Sequence, residues 1–388
     1  MLRIATPQRP YLDPWLQPLN ERLRQLQAGR QRVAYYYESA NNSTFRYRAY
    51  NMAQVLNAEP EGGVSASWFF RDDLHAVDRI ADLADRLVIC RSGYDHHVAQ
   101  LMARFRARGK PVLFDCDDFV FNTDYTHLII DTLGLDQADP RVWEDWFGMI
   151  GRMGQTLRLC DAGITTNPTL AREMSGFSSK PVAVVPNFMN REQLGMSAAV
   201  FEEKAQARFE GDGHICLGYF SGSPSHRFDY AIVEPALATL LEERPELRVM
   251  LVGYIEPGPA LARFGPRIIR QPFHDYVNLQ RLISSVEFNL MPLQANAFTD
   301  CKSELKYFEA AAVGTLSIAS PAPNHLACIE HGRNGYIARA HQWTRTIRTA
   351  LDNMGHYASM AARAREHALG AYSFTGQHAA ILRALQLP

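Results

Sequence analysis

An α/β fold of two doubly wound parallel sheets is predicted by three observations. The chain has 388 residues, more than one core usually organises, so two domains are expected. From Arg32 onward, short apolar runs alternate with helix-period segments, the pattern of βα units in a parallel sheet. The same alternation restarts at Ile215 after a polar stretch. In such sheets ligands bind beyond the carboxyl ends of the strands, and that rule directs the search for chemistry.

Composition narrows the classes. A hydrophobic content of 47% with 21% charged residues fits a globular protein. The net charge of −1 lacks the basic excess of a nucleic-acid binder, so no nucleic-acid partner is expected. Cysteines 90, 116, 160, 216, 301 and 328 are scattered without a Cys-x-x-Cys pair. Free thiols in a reducing compartment follow, and no zinc pattern. No apolar run reaches the ~18–20 residues of a membrane span. The first residues, Met1 to Pro7, lack the apolar core of a secretory leader. A cytoplasmic location is the expectation.

In chain order, Pro18 can open a helix with Leu19, Leu23 and Leu26 on one stripe and Arg22 and Arg24 off it. Two readings of that stripe are open, docking on its own domain or peripheral contact with the inner face of a membrane. Val33 to Tyr37 reads as a strand. Asn41-Asn42-Ser43-Thr44 is a polar turn with good caps, opening a helix through Leu56. Strands follow at Val64 to Phe70, Leu87 to Cys90 and Pro111 to Phe114, with a helix between Gly93 and Arg108. The strand-end rule selects Asn41 to Arg48, Arg91 to His97 and Asp115 to Asn122.

The third of these holds Asp115-Cys116-Asp117-Asp118. Carboxylates so close repel one another and need cations, hydrogen bonds or a function. Three readings are open: hard ligands for a divalent metal, a general base or sugar-hydroxyl binder, or an acidic first helical turn. Arg46 and Arg48 can pair with this cluster, meet an anionic acceptor, or face solvent. Residues 119–142 read as a long irregular loop, and Trp143 to Leu159 as a helix. A strand, a helix and a strand follow at Ala162 to Thr166, Pro168 to Ser175 and Val182 to Val185, and Pro186-Asn187 closes the half. The boundary is placed near residue 188, and the polar stretch 190–213 leads into the second half.

Ile215 to Phe220 reads as a strand ending in Ser221-Gly222-Ser223-Pro224-Ser225. Such a small loop lets backbone N–H groups approach phosphate. His226 and Arg227 open the next helix, and Arg227 can meet a phosphate bidentately or face solvent. Strands at Leu247 to Val252 and Arg267 to Arg270 end in Gly253-Tyr254 and Gln271-Pro272-Phe273-His274. Phe273 can stack on a nucleobase or anchor its loop. After a strand at Phe288 to Met291 comes Cys301 to Ser320, a helix, a glycine stop at Gly314 and a buried strand. Lys302, Lys306 and Glu309 share a face of that helix, as an anion site beside a sugar-binding carboxylate or as a solvated ion pair. The turn His331 to Gly335 and three further helices end the chain.

These residues carry a family resemblance. Glu309-Ala-Ala-Ala-Val-Gly-Thr-Leu-Ser-Ile-Ala-Ser320 resembles the Glu-Ala-x-Ala-x-Gly-x-Pro-Val-x-Ala-Ser block of group 1 glycosyltransferases, family 4 and relatives. His331-Gly-Arg-Asn-Gly335 resembles the His-Gly-x-Asn-Gly turn after it. Lys302-Ser-Glu-Leu-Lys306 and Phe114-Asp-Cys-Asp-Asp118 resemble a branch found in bacterial surface-polysaccharide (O-antigen or capsule) clusters. The similarity covers most of residues 30–370. It implies a GT-B fold, with two Rossmann-like domains facing across a cleft. Residues 1–188 would be the acceptor side, 189–370 would bind the nucleotide sugar, and 371–388 would hold a helix crossing back.

The resemblance further implies that Glu309 contacts the donor ribose and that Gly222, Ser223 and Ser303 face the diphosphate. Lys302, Lys306 and Arg227 would neutralise that diphosphate, and Phe273 would lie near the base. Cys301 stands where the family often has a second glutamate, with Lys302 and Glu304 beside it as substitutes. Retention is the family's usual course; for an inverting transfer Asp115, Asp117 or Asp118 would be the base, and Arg46 and Arg48 would meet the acceptor. The co-substrate would be a nucleotide-diphosphate sugar, with no metal or other cofactor required. The acceptor would be a glycan or lipid-linked glycan. The rival reading is a non-catalytic nucleotide-sugar-binding or scaffold protein of the same fold. An oxidoreductase would want Gly-x-Gly-x-x-Gly after a strand, and that spacing is absent.

Overall fold

The computed structural model of the protein describes residues 1–2, 4–58, 63–223 and 226–387. The first half builds β1 (Gln31–Tyr36), β2 (Val64–Phe69), β3 (Arg86–Cys90), β4 (Val112–Cys116), β5 (Ala162–Thr165) and β6 (Val182–Val184). They form one parallel sheet in the order β2-β1-β3-β4-β5-β6. The second half builds β7 (Ile215–Ser221), β8 (Leu247–Gly253), β9 (Ile268–Gln271), β10 (Phe288–Met291), β11 (Leu316–Ala319) and β12 (Tyr336–Ile337). Their order is β12-β11-β10-β7-β8-β9, again parallel. Each sheet is wound outward to one side and then to the other. The winding reverses between β1 and β3 and between β7 and β10, the crevices where such sheets bind ligands.

Local chemistry explains the elements. Helices on both faces bury the strands, and every residue of β2, β4 and β10 is buried. Side-chain caps open helices just beyond strand ends. Asp95 accepts from Val98 N, Asn167 from Leu170 N, and Asp275 from Val277 N and Asn278 N. Gly314 ends the helix Leu305–Ala312 at φ +67°, a left-handed angle that glycine adopts freely.

Four expectations are corrected. Residues 119–142 are not an irregular loop: they hold a 3₁₀ turn, Thr123–Tyr125, and a helix, Thr126–Thr132, that buries Ile129 and Ile130. The following helix starts at Pro140, because Asp139 caps it and proline suits its first position. The polar stretch 190–213 contains the helix Arg191–Gln206, capped by Asn190. The helix expected from Lys302 begins at Leu305, since Ala297–Asp300 forms a separate turn and residues 301–304 connect the two.

The two halves are held by crossing segments. Leu2 N donates to Ser285 O (3.1 Å), and Arg9 N to Asn278 Oδ1 (2.9 Å). Trp15 then inserts among Phe45, Tyr50 and Tyr276, so one apolar cluster contains residues packed on both sheets. The helix His378–Ala384 packs against β6 and the helix Asn51–Leu56 of the first half. The stripe of the helix Leu19–Leu26 is docked: Leu23 and Leu26 are buried, so a lipid surface cannot use it. Arg22, expected off the stripe, is buried too, forked onto Asp73 at 2.6 and 2.8 Å. Among the described residues no helix is long and apolar enough to cross a membrane.

Candidate functional site in the inter-sheet cleft

The carboxyl ends of β1, β3 and β4 face those of β7, β10 and β11 across a cleft of about 1190 Å³. A tight approach shapes the second wall. Gly253, at φ +84°, passes so close to Ser221 that a Cβ would sit 2.1 Å from the Ser221 carbonyl oxygen. That packing brings the ends of β7 and β8 together. The Ser221 hydroxyl donates to Ser223 O (2.8 Å), and Gly222 and Arg227 are exposed on the cleft wall. Pro224 and Ser225, the remainder of the expected phosphate loop, lie outside the described residues.

Beside this loop, the ring Nδ1 of His226 meets Asp229 at 3.1 Å, and Asp229 is held by Gln294 N at 3.0 Å. Burial and the neighbouring Lys306 lower the His226 pKa. Lys306 reaches the cleft over the Tyr219 ring, 4.9 Å from its centroid, and forms no ion pair among the described residues. Burial lowers its ammonium to about 8 against the opposing pull of Asp229 and Glu309. Phe273 is half exposed at the cleft, with its ring 5.6 Å from that of Tyr254.

Glu309 is buried and held by residues of both halves. Its Oε1 accepts from the Tyr47 hydroxyl (2.6 Å) and Gln193 Nε2 (2.8 Å), and Arg46 Nη2 lies at 3.4 Å. Its Oε2 has no partner among the described residues, and Glu309 belongs to the cleft wall. Asn187 Nδ2 donates to the Ser303 hydroxyl (3.3 Å) at the same junction.

The aspartate cluster divides. Asp117 and Asp118 line the cleft. Asp117 accepts from the Thr44 hydroxyl (2.9 Å) and Arg91 (3.2 Å). Asp118 accepts from Lys302 Nζ at 3.0 and 3.2 Å, from Phe119 N at 3.0 Å, and lies 3.6 Å from Arg91. Burial opposes its ionisation, but Lys302 and Arg91 outweigh burial and hold its carboxyl below the usual range. Among the described residues no group of three His, Cys, Asp or Glu is arranged to hold a metal.

Four residues require correction. Asp115 is the fourth residue of β4 and is fully buried, so it reaches no acceptor. Arg48 is equally buried and forks onto it at 2.7 and 3.0 Å, with Val185 O at 2.8 Å, so it meets no acceptor either. Burial raises the Asp115 carboxyl to about 6 although Arg48 opposes it. Arg46 lies at the cleft, but Asn42 O, Gln193 and Glu309 take its donors, and the rings of Tyr47 and Tyr276 sandwich it at 4.0 and 4.4 Å. It is an inter-half clamp. Glu304 is buried away from the cleft wall, and its Oε2 lacks a partner among the described residues.

Burial raises the Glu304 carboxyl from 4.5 to about 7. A carboxyl raised on folding stabilises fully below its unfolded pKa and loses that contribution as pH rises through 7. Glu304→Gln should therefore be more stable than the wild type at pH 8, by roughly 2–3 kcal/mol, and nearly equal at pH 4.5. Urea midpoints at the two pH values check this. An equal difference at both would remove the titration from the explanation.

Sequence reasoning did not name Arg91, Thr44, Tyr47 and His325 on the cleft wall, Gln193 and Asp229 bonded behind it, or Tyr254 against the Phe273 ring. Arg91 fell within a strand-end segment the topology rule selected, Tyr254 directly follows β8, and His325 lies in the helix that follows β11. Thr44 and Tyr47 also fell within a selected segment, Asn41 to Arg48, and Asp229 sits one turn after His226; Gln193 carries no local signal for the site, because Arg46 and Glu309 lie far away in sequence.

Two parallel, doubly wound sheets with a cleft between their carboxyl ends define the GT-B fold of glycosyltransferases. Residues 231–383 match a family model described as glycosyl transferase-like. No curated protein matches the chain in sequence. Among solved structures, HepE of Anabaena in complex with UDP superposes with a TM-score of 0.62 at 14% identity, over 91% of this chain and 99% of that one. Sucrose-phosphate synthase from Thermosynechococcus elongatus gives 0.56 at 14%, over 92% and 98%. A UDP-forming α,α-trehalose-phosphate synthase from Burkholderia vietnamiensis gives 0.58 at 11%, over 92% and 97%. The chain thus has the GT-B fold, and its C-terminal part has a glycosyl transferase-like sequence.

Proposed function

We propose that the protein is a glycosyltransferase that moves a sugar from a nucleotide-diphosphate donor to a glycan or lipid-linked glycan. One observation carries the reading. At the switch point of the second sheet, one helix presents Lys306, without an ion pair among the described residues, and Glu309, a cleft-wall residue whose Oε2 has no partner among the described residues. A cation and a hydroxyl acceptor so placed fit a diphosphate and a ribose. Arg227 and Lys302 add charge, and Tyr254 and Phe273 offer ring faces for a base. The glycosyl transferase-like match over residues 231–383 and the likeness to a UDP-bound structure support this use of the second half. The boundary between donor and acceptor domains is placed near residue 188.

The transferred group is proposed to be a hexose or deoxyhexose, and the pathway bacterial surface-polysaccharide synthesis in the cytoplasm, in line with the sequence resemblance. Retention is favoured on chemical grounds. Lys302 and Arg91 lower the Asp118 carboxyl and weaken it as a base, and Asp117 is engaged by the Thr44 hydroxyl and Arg91, so the departing phosphate is the proposed proton acceptor. Asp117 then positions the acceptor hydroxyl.

A thermal-shift screen with UDP, GDP, dTDP and CMP, free and as sugars, with and without EDTA, tests the donor site. A ligand at a hundredfold excess over Kd stabilises by about 2.7 kcal/mol. A shift for one base, unchanged by EDTA, is expected. No shift with any would sink the reading. Release of nucleotide from the bound sugar separates an enzyme from a scaffold, and the anomer released reports retention or inversion.

A further inference from the structure

His325 follows β11 in the helix Pro323–Cys328 and is 98% buried by its 2% exposure, yet it lines the cleft. Its Nδ1 lies 2.9 Å from the Ser320 carbonyl oxygen. A carbonyl only accepts, so Nδ1 carries the hydrogen and Nε2 keeps a lone pair while the ring is neutral. Burial, with Lys306 nearby, lowers the imidazole to about 4, so the ring is neutral at physiological pH. Nε2 has no partner among the described residues and is not sealed in the interior. Facing the cleft, Nε2 can accept a hydrogen bond from whatever occupies the cleft.

We infer that His325 Nε2 accepts a hydrogen bond from a hydroxyl of the transferred sugar and so helps select the donor; this rests on the nucleotide-sugar reading above. Topology assigns the sugar. Tyr254 and Phe273 follow β8 and β9, on one side of β7, whereas His325 follows β11, on the other. A donor whose base meets the two rings and whose diphosphate lies over the β7–β10 crevice extends its sugar toward β11. A phosphate oxygen at neutral pH has little hydrogen to give, and an unprotonated nitrogen beside it would repel it. A sugar hydroxyl supplies the donor that Nε2 requires.

UDP and UDP-glucose are the probes, measured by calorimetry on the full chain. In His325→Asn the side-chain amide can still donate to Ser320 O but nothing stands at Nε2. UDP affinity should change less than threefold, while UDP-glucose should weaken by about tenfold, the order of one lost buried hydrogen bond. His325→Gln, with an amide oxygen near Nε2, should recover part of the loss. Equal weakening of both ligands, or no change in either, overturns the assignment while leaving the nucleotide-sugar reading intact. A wild type that binds neither is measured with the nucleotide and nucleotide sugar that the thermal-shift screen selects, under the same criteria, and one that binds none of the screened ligands overturns both. Should His325→Asn not fold, ¹⁵N resonances of His325 in the wild type decide: the Nε2 signal should move with UDP-glucose and stay with UDP, and an unmoved signal overturns the proposal.

Discussion

Asp115→Ala should lower the unfolding free energy by about 3–5 kcal/mol, the cost of leaving a buried partner charge uncompensated. Arg48 is fully buried, and Asp115 takes two of its guanidinium bonds at 2.7 and 3.0 Å. Val185 O and Asn187 hold a third nitrogen at 2.8 and 3.2 Å but carry no net charge. The guanidinium stays protonated because its intrinsic pKa is above about 12, so it cannot escape by neutralising. Arg48→Met alone should cost less, since the abandoned carboxyl, already raised to about 6 by burial, can take up a proton. The double variant should regain part of the loss. Urea unfolding of all four proteins, as a double-mutant cycle, measures the coupling. A loss below about 1 kcal/mol for Asp115→Ala would show the pair to be dispensable, as most exposed pairs are.

That pair also shows what the sequence could and could not reveal. The alternation of strands and helices follows from local apolar runs and caps, so both sheets were legible apart from β12, whose two residues are too few to carry a pattern, as was the glycine stop at Gly314. The helix Arg191–Gln206 was not, because its buried positions include Gln193, Ser197 and Lys204 rather than an apolar stripe. Lys204 is stabilised there by Gly314 O at 2.9 Å, a partner 110 residues away. The aspartate cluster stood out as unusual, but its division did not. Asp115 is the last but one residue of β4 and points into the core, whereas Asp117 and Asp118 lie past the strand end. Only the fold brings Arg48, 67 residues distant, to the first, and Lys302, 184 residues distant, to the last. Glu309 was singled out from its motif, and it lines the cleft. Its anchoring by Tyr47 and Arg46 was not legible, since no local pattern encodes a contact across more than 260 residues.

The second large effect falls on Lys306, where stability and activity should move in opposite directions. Its ammonium is held down to about 8 by burial, below the 10.5 of a free lysine. A base whose pKa falls on folding is penalised wherever the folded form is charged. That penalty is present below pH 8 and is relieved as pH rises toward the unfolded value. Lys306→Met keeps the stem and removes the charge, so at pH 7 it should gain about 1–3 kcal/mol in stability. The same change withdraws a cation from the site proposed for the departing diphosphate. Removing one such stabilising group typically costs about 10²–10³ in rate. Nucleotide release from the donor sugar should fall by that factor in Lys306→Met while the urea midpoint rises. Because the leaving group is the same for retention and inversion, the result does not depend on which course the transfer takes. A variant that is less stable and equally active would return Lys306 to an ordinary structural cation and move the diphosphate to Arg227 and Lys302.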